Sequence, residues 1–177
     1  MDSKKTIRQY IGPNWVVTII LCVIPFLMPV GLILLLCATI PTAVRAGKSI
    51  KKLEATGQLD KAAAQLTSPM SKRLMNGKLV LTDDFIIGKR TGYVFAYEEA
   101  AWVYKHRYTQ RLFFIPISVT DSLYLATKSM KPKQVAIMGK DKLDEIKTAI
   151  IEIYNHNRSC LVGYTKESQV AYKQLTK

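Results

Sequence analysis

The densest set of chemically capable side chains is the run YKHRYTQR, where Lys105, Arg107 and Arg111 are interleaved with Tyr104 and Tyr108. Guanidinium forks grip phosphate oxygens bidentately and a lysine adds a mobile point charge, so this pattern suits anion recognition. Lys128, Lys131 and Lys133 make a second basic stretch, whose bland reading is a solvated turn. Bond-making chemistry is poorly represented. Glu98 and Glu99 are adjacent, which on a strand sends them to opposite faces and spoils an acid and base pair. His106 and His156 have no second ligand at metal spacing, Cys22 and Cys37 lie in an apolar run, and Cys160 stands alone. Neither a zinc site nor a disulfide framework is implied by that set. The chain also lacks GxSxG, GxxxxGK and GxGxxG motifs. A protein without catalytic residues, metal or cofactor is expected.

The elements that must position these residues begin with an anchor. From Gln9 to Val44 the chain runs 36 residues without a charge, between Lys4, Lys5 and Arg8 on one side and Arg45, Lys48, Lys51 and Lys52 on the other. About 20 apolar residues cross a hydrocarbon core as a helix, so residues 1–44 are expected to be a membrane anchor. The next segment, RAGKSIKKLE, is basic and offers no clean small-residue cleavage site, so the anchor is expected to stay in the mature protein. Pro25, Pro29 and Gly31 fall near its middle, where prolines remove helical donors. The segment therefore reads as a helical hairpin or one kinked span. Basic residues at both ends favour the hairpin and place the rest of the chain in the cytoplasm.

Three of the 26 basic residues and one of the 13 acidic residues precede Arg45, which leaves 23 and 12 after it and a net charge of +11 out of +13. For a domain held at a bilayer, the nearest polyanion is the inner leaflet rather than nucleic acid. Residues 45–70 are expected to form basic juxtamembrane stalk helices, broken at Gly57 and ended by Thr67, Ser68 and Pro69. Lys48 and Lys52 share a face with Arg45 there.

Beyond Gly77 the pattern changes to short runs rich in Val, Ile, Tyr and Phe, which read as six or seven antiparallel strands. Asp83 and Asp84 supply the turn between KLVLT and FIIGKR, and Gly92 opens YVFAY. Further turns are expected at Thr109 to Arg111, at Asp121 with Ser122, and at Lys131 with Pro132. Trp102, between Ala101 and Val103, belongs in the core. The helix KDKLDEIKTAIIEIYNHN carries the stripe Leu143, Ile146, Ile150 and Ile153, with Asp141 as its N-cap. Residues 159–177 end in a tail helix near Thr165.

An antiparallel meander closed by one amphipathic helix resembles the pleckstrin-homology-like (PH-like) fold. The pieces KLVLTDDFIIG, YEEAAWVY, LYLATK and the helix after KDKLDEI are similar to small bacterial membrane-anchored PH-like domains of uncharacterised function. The resemblance covers about residues 72–158. It implies an α+β chain in which a barrel-like β-meander with a capping helix, residues 71–158, serves as a scaffold for lipid headgroups, peptides or sister domains. It also implies that a basic turn between strands makes headgroup contacts. The expected function is a non-enzymatic module at the cell membrane that associates with anionic phospholipid through Lys48, Lys51, Lys52, Lys105, Arg107 and Arg111. The alternative is an interaction module or accessory subunit of a membrane complex with a protein partner.

Overall fold

The computed structural model describes residues 2–24, 27–112, 114–139 and 143–176. It has two compact units, one of residues 1–71 with 88–94 and one of residues 72–87 with 95–177. Pro25, part of the expected bend, and Asp141, the expected N-cap, lie outside the described residues.

The first unit is helical. Helix α1 (Ser3–Ile11) starts at Asp2, whose carboxylate accepts from the Lys5 amide at 3.2 Å, and it buries Ile7 and Ile11 completely. It packs on α4 (Ile40–Ala55) and α5 (Leu59–Thr67), which bury Ala46, Ile50 and Leu53 and Ala62, Ala63 and Leu66. The stalk expected after Arg45 is therefore one part of a packed helical cluster. Between α4 and α5, Gly57 stands at φ +66°, and the amides of Gly57 and Gln58 donate to the carbonyls of Glu54 and Leu53. That pair of bonds is the Schellman closure, and glycine takes its left-handed position without steric cost.

Helices α2 (Trp15–Val23) and α3 (Met28–Leu34) form an antiparallel hairpin. A π-helical turn, Leu35–Thr39, joins α3 to α4, so Met28–Ala55 is one helix of 28 residues. The arms meet at two levels. The Thr18 and Thr39 hydroxyls bond to each other at 2.9 Å, and a Cβ on Gly31 would stand 2.7 Å from the Cys22 amide nitrogen. Only glycine lets the backbones approach this closely.

The second unit holds two four-stranded sheets, ordered β1-β2-β3-β4 and β7-β6-β5-β8. In the first are β1 (Lys72–Leu74), β2 (Leu79–Leu81), β3 (Phe85–Gly88) and β4 (Val94–Ala96), the last running into a single 3-10 turn at Tyr97–Glu99. Glu98 and Glu99 sit on that turn rather than on a strand. The second sheet is built from β5 (Ala100–Leu112), β6 (Ile115–Thr127), β7 (Met130–Gly139) and the two-residue β8 (Leu161–Val162), which runs parallel to β5. Three long strands replace the four short ones read from the sequence. The expected turns at Thr109–Arg111 and Asp121–Ser122 lie inside β5 and β6, and Lys131 and Pro132 lie inside β7. The sheets are mostly antiparallel and do not close into a barrel.

Helix α6 (Leu143–His156) packs on β5 and β6. Among its described side chains Ile146, Ala149 and Ile153 are buried and Ile150 is only partly covered, while the side chain of Leu143, part of the expected stripe, lies outside those described. Val103, Leu123 and Leu125, which alternate onto one sheet face, are fully buried as well. The opposite face carries Trp102, Tyr104 and Ala126 under Tyr172 of α7 (Lys166–Leu175). Trp102 donates its indole N–H to the Gly163 carbonyl at 2.7 Å, and the Tyr172 hydroxyl donates to the Thr127 and Met130 carbonyls at 3.0 and 2.9 Å.

Truncating a buried Ile in this core costs about 2–5 kcal/mol. Ile153→Ala is expected to lower the urea midpoint of unit unfolding, followed by Trp102 fluorescence, far more than Ile150→Ala does. Equal shifts would place both side chains at the same depth and contradict the docking of α6.

Candidate functional site

The basic residues singled out in the sequence divide into two sets. Lys48, Lys51 and Lys52 are exposed on α4, opposite its buried Ala46, Ile50 and Leu53. Spacings of three and four bring them onto one helix face. Arg45, one turn earlier, is held in place: its Nε donates to the Pro41 carbonyl at 3.0 Å and its guanidinium lies 5.6 Å from the Tyr93 ring centre.

Lys105, Arg107 and Arg111 occupy alternate positions on β5, so they share one face but string out along it. At about 3.4 Å per residue, Lys105 and Arg111 are roughly 20 Å apart, so these three residues do not form a clustered turn. Arg107 is already engaged. Its Nε and terminal nitrogen donate to the two Asp121 oxygens at 2.8 and 2.9 Å, across the ladder register that pairs the two residues. Asp121 is 1% exposed, and the Arg107 hydrogen bond holds its carboxyl below the usual carboxylate range, against the opposing effect of burial. The hairpin tip instead presents Phe114, at φ +73° and 93% exposed, with Tyr108 and Ile117 exposed nearby on the strands.

On the other face of β5 an aromatic file runs through Trp102, Tyr104 and His106, with Tyr124 stacked on Tyr104 at 5.4 Å and Tyr164 on Trp102 at 5.7 Å. Burial pushes the Tyr104 hydroxyl up to about 12, helped by the neighbouring Tyr164, Tyr124 and Tyr172. Burial likewise pushes the Cys160 thiol up to about 12, which leaves no thiolate nucleophile at neutral pH. Tyr97 stacks on His156 at 4.1 Å and keeps a buried hydroxyl with no partner among the described residues. Its pKa lies well above the ordinary value, first through burial and then through Glu152, Asp83 and Asp84. Among the described residues no three His, Cys, Asp or Glu side chains gather where they could hold a metal ion.

The helical unit contains what the sequence concealed. Residues 88–94, read as the end of the strand FIIGKR and, from Gly92, the start of the strand YVFAY, belong to it. Gly92, at φ +80°, packs so tightly that a Cβ would stand 2.7 Å from the Arg45 Cβ, and its carbonyl accepts from the Ser49 hydroxyl at 2.7 Å. Its amide and that of Arg90 donate to the carbonyls of Ile11 and Tyr10. Helix Met28–Ala55 is long and apolar enough to cross a membrane. No family model, curated protein or solved structure matches the chain.

Because Asp121 is more acidic folded than unfolded, its pairing stabilises the fold fully above about pH 4 and loses that effect as pH falls through the folded value. Arg107→Gln strands a buried carboxylate, so its stability gap from wild type is expected to be large at pH 7 and to shrink near pH 3. Urea midpoints at the two pH values measure it. A gap independent of pH would mean that the pair contributes nothing through charge.

Proposed function

We propose that the chain is an integral membrane protein whose apolar hairpin lies in the bilayer and whose second unit is a non-enzymatic, PH-like module on the cytoplasmic side, associating with the anionic inner leaflet. The observation that carries this reading is the outer surface of the hairpin. Val16, Ile19, Ile20, Val23, Ile33 and Leu36 all point outward, and only 22% of the most apolar window of the long helix is buried. A core helix of a water-soluble protein buries such a face. The arm from Met28 to Val44 is about 26 Å long at 1.5 Å per residue, within tolerable mismatch of a core about 30 Å thick.

Orientation is set by charge. Lys4, Lys5 and Arg8 precede the hairpin and Arg45, Lys48, Lys51 and Lys52 come after it, so both sets lie at the same end, where the positive-inside preference puts the cytoplasm. Each lysine near an anionic surface contributes about 1 kcal/mol, too little for attachment without the anchor. The PH-like assignment draws on the order of strands and capping helix. It is a likeness of pattern in which the sheets are open.

A second reading, an interaction module or accessory subunit, draws on one observation. The exposed Phe114, Tyr108 and Ile117 at the β5–β6 tip would suit an apolar protein contact better than a headgroup.

With a reporter active only outside the cytoplasm fused to Lys177, no signal is expected, and activity would reverse the topology. For leaflet association, fragment 72–177 is expected to sediment with anionic vesicles at low salt, to lose most of that at physiological salt, and to bind less as Lys105→Ala, Arg111→Ala. Equal binding to neutral vesicles, or no loss in the pair, would move the assignment to the interaction module.

A further inference from the structure

Where α2 begins, the helical unit forms an open cleft of about 250 Å³. One wall is the start of α2, with Asn14 and Val17, and the N-cap residue Asn14 makes no side-chain cap. Amides at a helix start lack intrahelical acceptors and carry partial positive charge, which suits an anion. A second wall is Thr42 of α4, 8% exposed, whose hydroxyl has no hydrogen-bond partner among the described residues. A polar group entering the cleft would give that hydroxyl a hydrogen-bond partner. The third contribution is Arg90, exposed at the rim in the left-handed region at φ +57°, its amide donating to the Tyr10 carbonyl at 3.0 Å. No carboxylate lines the cavity. The inner end is closed by the Thr18 and Thr39 hydroxyls, which are spent on each other, and the remaining wall includes Val17, Leu34 and Ala38.

We propose that this cavity holds one anionic phospholipid by its phosphate. The diester sits against the Arg90 guanidinium and the first-turn amides of α2, the Thr42 hydroxyl donates to a phosphate oxygen, and the acyl chains leave along Val17 and Leu34. One arginine and one helix terminus match the single charge of a diester, and the apolar wall has no use in binding a free ion. This inference rests on the bilayer placement of the hairpin, and it adds a specific site to what is otherwise diffuse surface attraction.

The test uses the full chain in detergent micelles, titrated with dioleoyl phosphatidylglycerol, dioleoyl phosphatidylcholine or inorganic phosphate and read by native mass spectrometry. Wild type is expected to retain one phosphatidylglycerol per chain in preference to phosphatidylcholine, with no displacement by inorganic phosphate. Arg90→Asn removes the charge while keeping a residue that tolerates φ > 0, and should weaken retention about tenfold, as loss of a charge-assisted bond does. Thr42→Val, which keeps the shape, should weaken it several-fold. Equal retention in wild type, Arg90→Asn and Thr42→Val overturns the site, as does displacement by inorganic phosphate or equal retention of phosphatidylcholine. If those variants match wild type while the chain resists alkaline carbonate extraction from membranes, the cavity assignment fails alone. Release by carbonate removes the bilayer placement as well.

Discussion

An apolar surface left open within the helical unit, among the described residues, is the constraint on which the proposed placement of that unit depends. Residues 9–44 carry no charge, and the hairpin they form turns its large side chains outward on both arms. Each Å² of such surface left in water costs about 25 cal/mol, and the proposed bilayer placement would give it an apolar surrounding. With lipid as that surrounding, the rest is dictated. Backbone groups in hydrocarbon must bond within their own segment, which selects helices. Attraction between the arms then comes from close contact and from buried polar pairs, supplied by Gly31 against Cys22 and by the Thr18–Thr39 bond. At the charged end, α1, α5 and the segment around Gly92 pack on α4 and bring Arg90 to the start of α2.

The second unit solves a different problem, how to keep a long two-stranded ribbon soluble. Strand β5 is sandwiched near its start, where Trp102 and Val103 face α7 and α6, and then runs on as a ribbon whose side chains meet solvent. Basic residues on that stretch read as a binding patch, yet Arg107 is bound to Asp121 with two hydrogen bonds. Breaking such a pair leaves a buried charge, and forming it adds modest stability. Of the β5 residues read as a headgroup contact, Lys105 and Arg111 make no such side-chain pair among the described residues.

What the sequence revealed depended on how local the cause was. The Gly57 break, the Asp83–Asp84 turn and the last two helices rest on a few neighbouring residues, and they were legible. In α6 the stripe was right in direction but one position off, because the small Ala149 can be fully buried where the larger Ile150 reaches the edge. The outer end of strand β5 was read as a turn because a ribbon exposed there needs no apolar alternation, and Thr109, Gln110 and Arg111 mimic a turn. Asp121 was read as a turn residue because its partner lies 14 positions away across the ladder. The helix α1 and the place of Gly92 in the helical unit depend on contacts between distant segments, and no local pattern carries them. The cavity proposed for a lipid shares that origin, since Asn14, Thr42 and Arg90 meet only after folding.

The central claim, that lipid covers the hairpin, is most directly tested at Cys37, exposed on the π-helical turn. With Cys22 and Cys160 replaced by Ala, a nitroxide on Cys37 in reconstituted bilayers reports its surroundings by collision with oxygen, which concentrates in hydrocarbon, and with a water-soluble nickel chelate. A lipid-covered hairpin predicts frequent oxygen collisions and almost none with the chelate. Frequent chelate collisions would place the hairpin in water, low values for both would bury it in protein, and either result would contradict the claim.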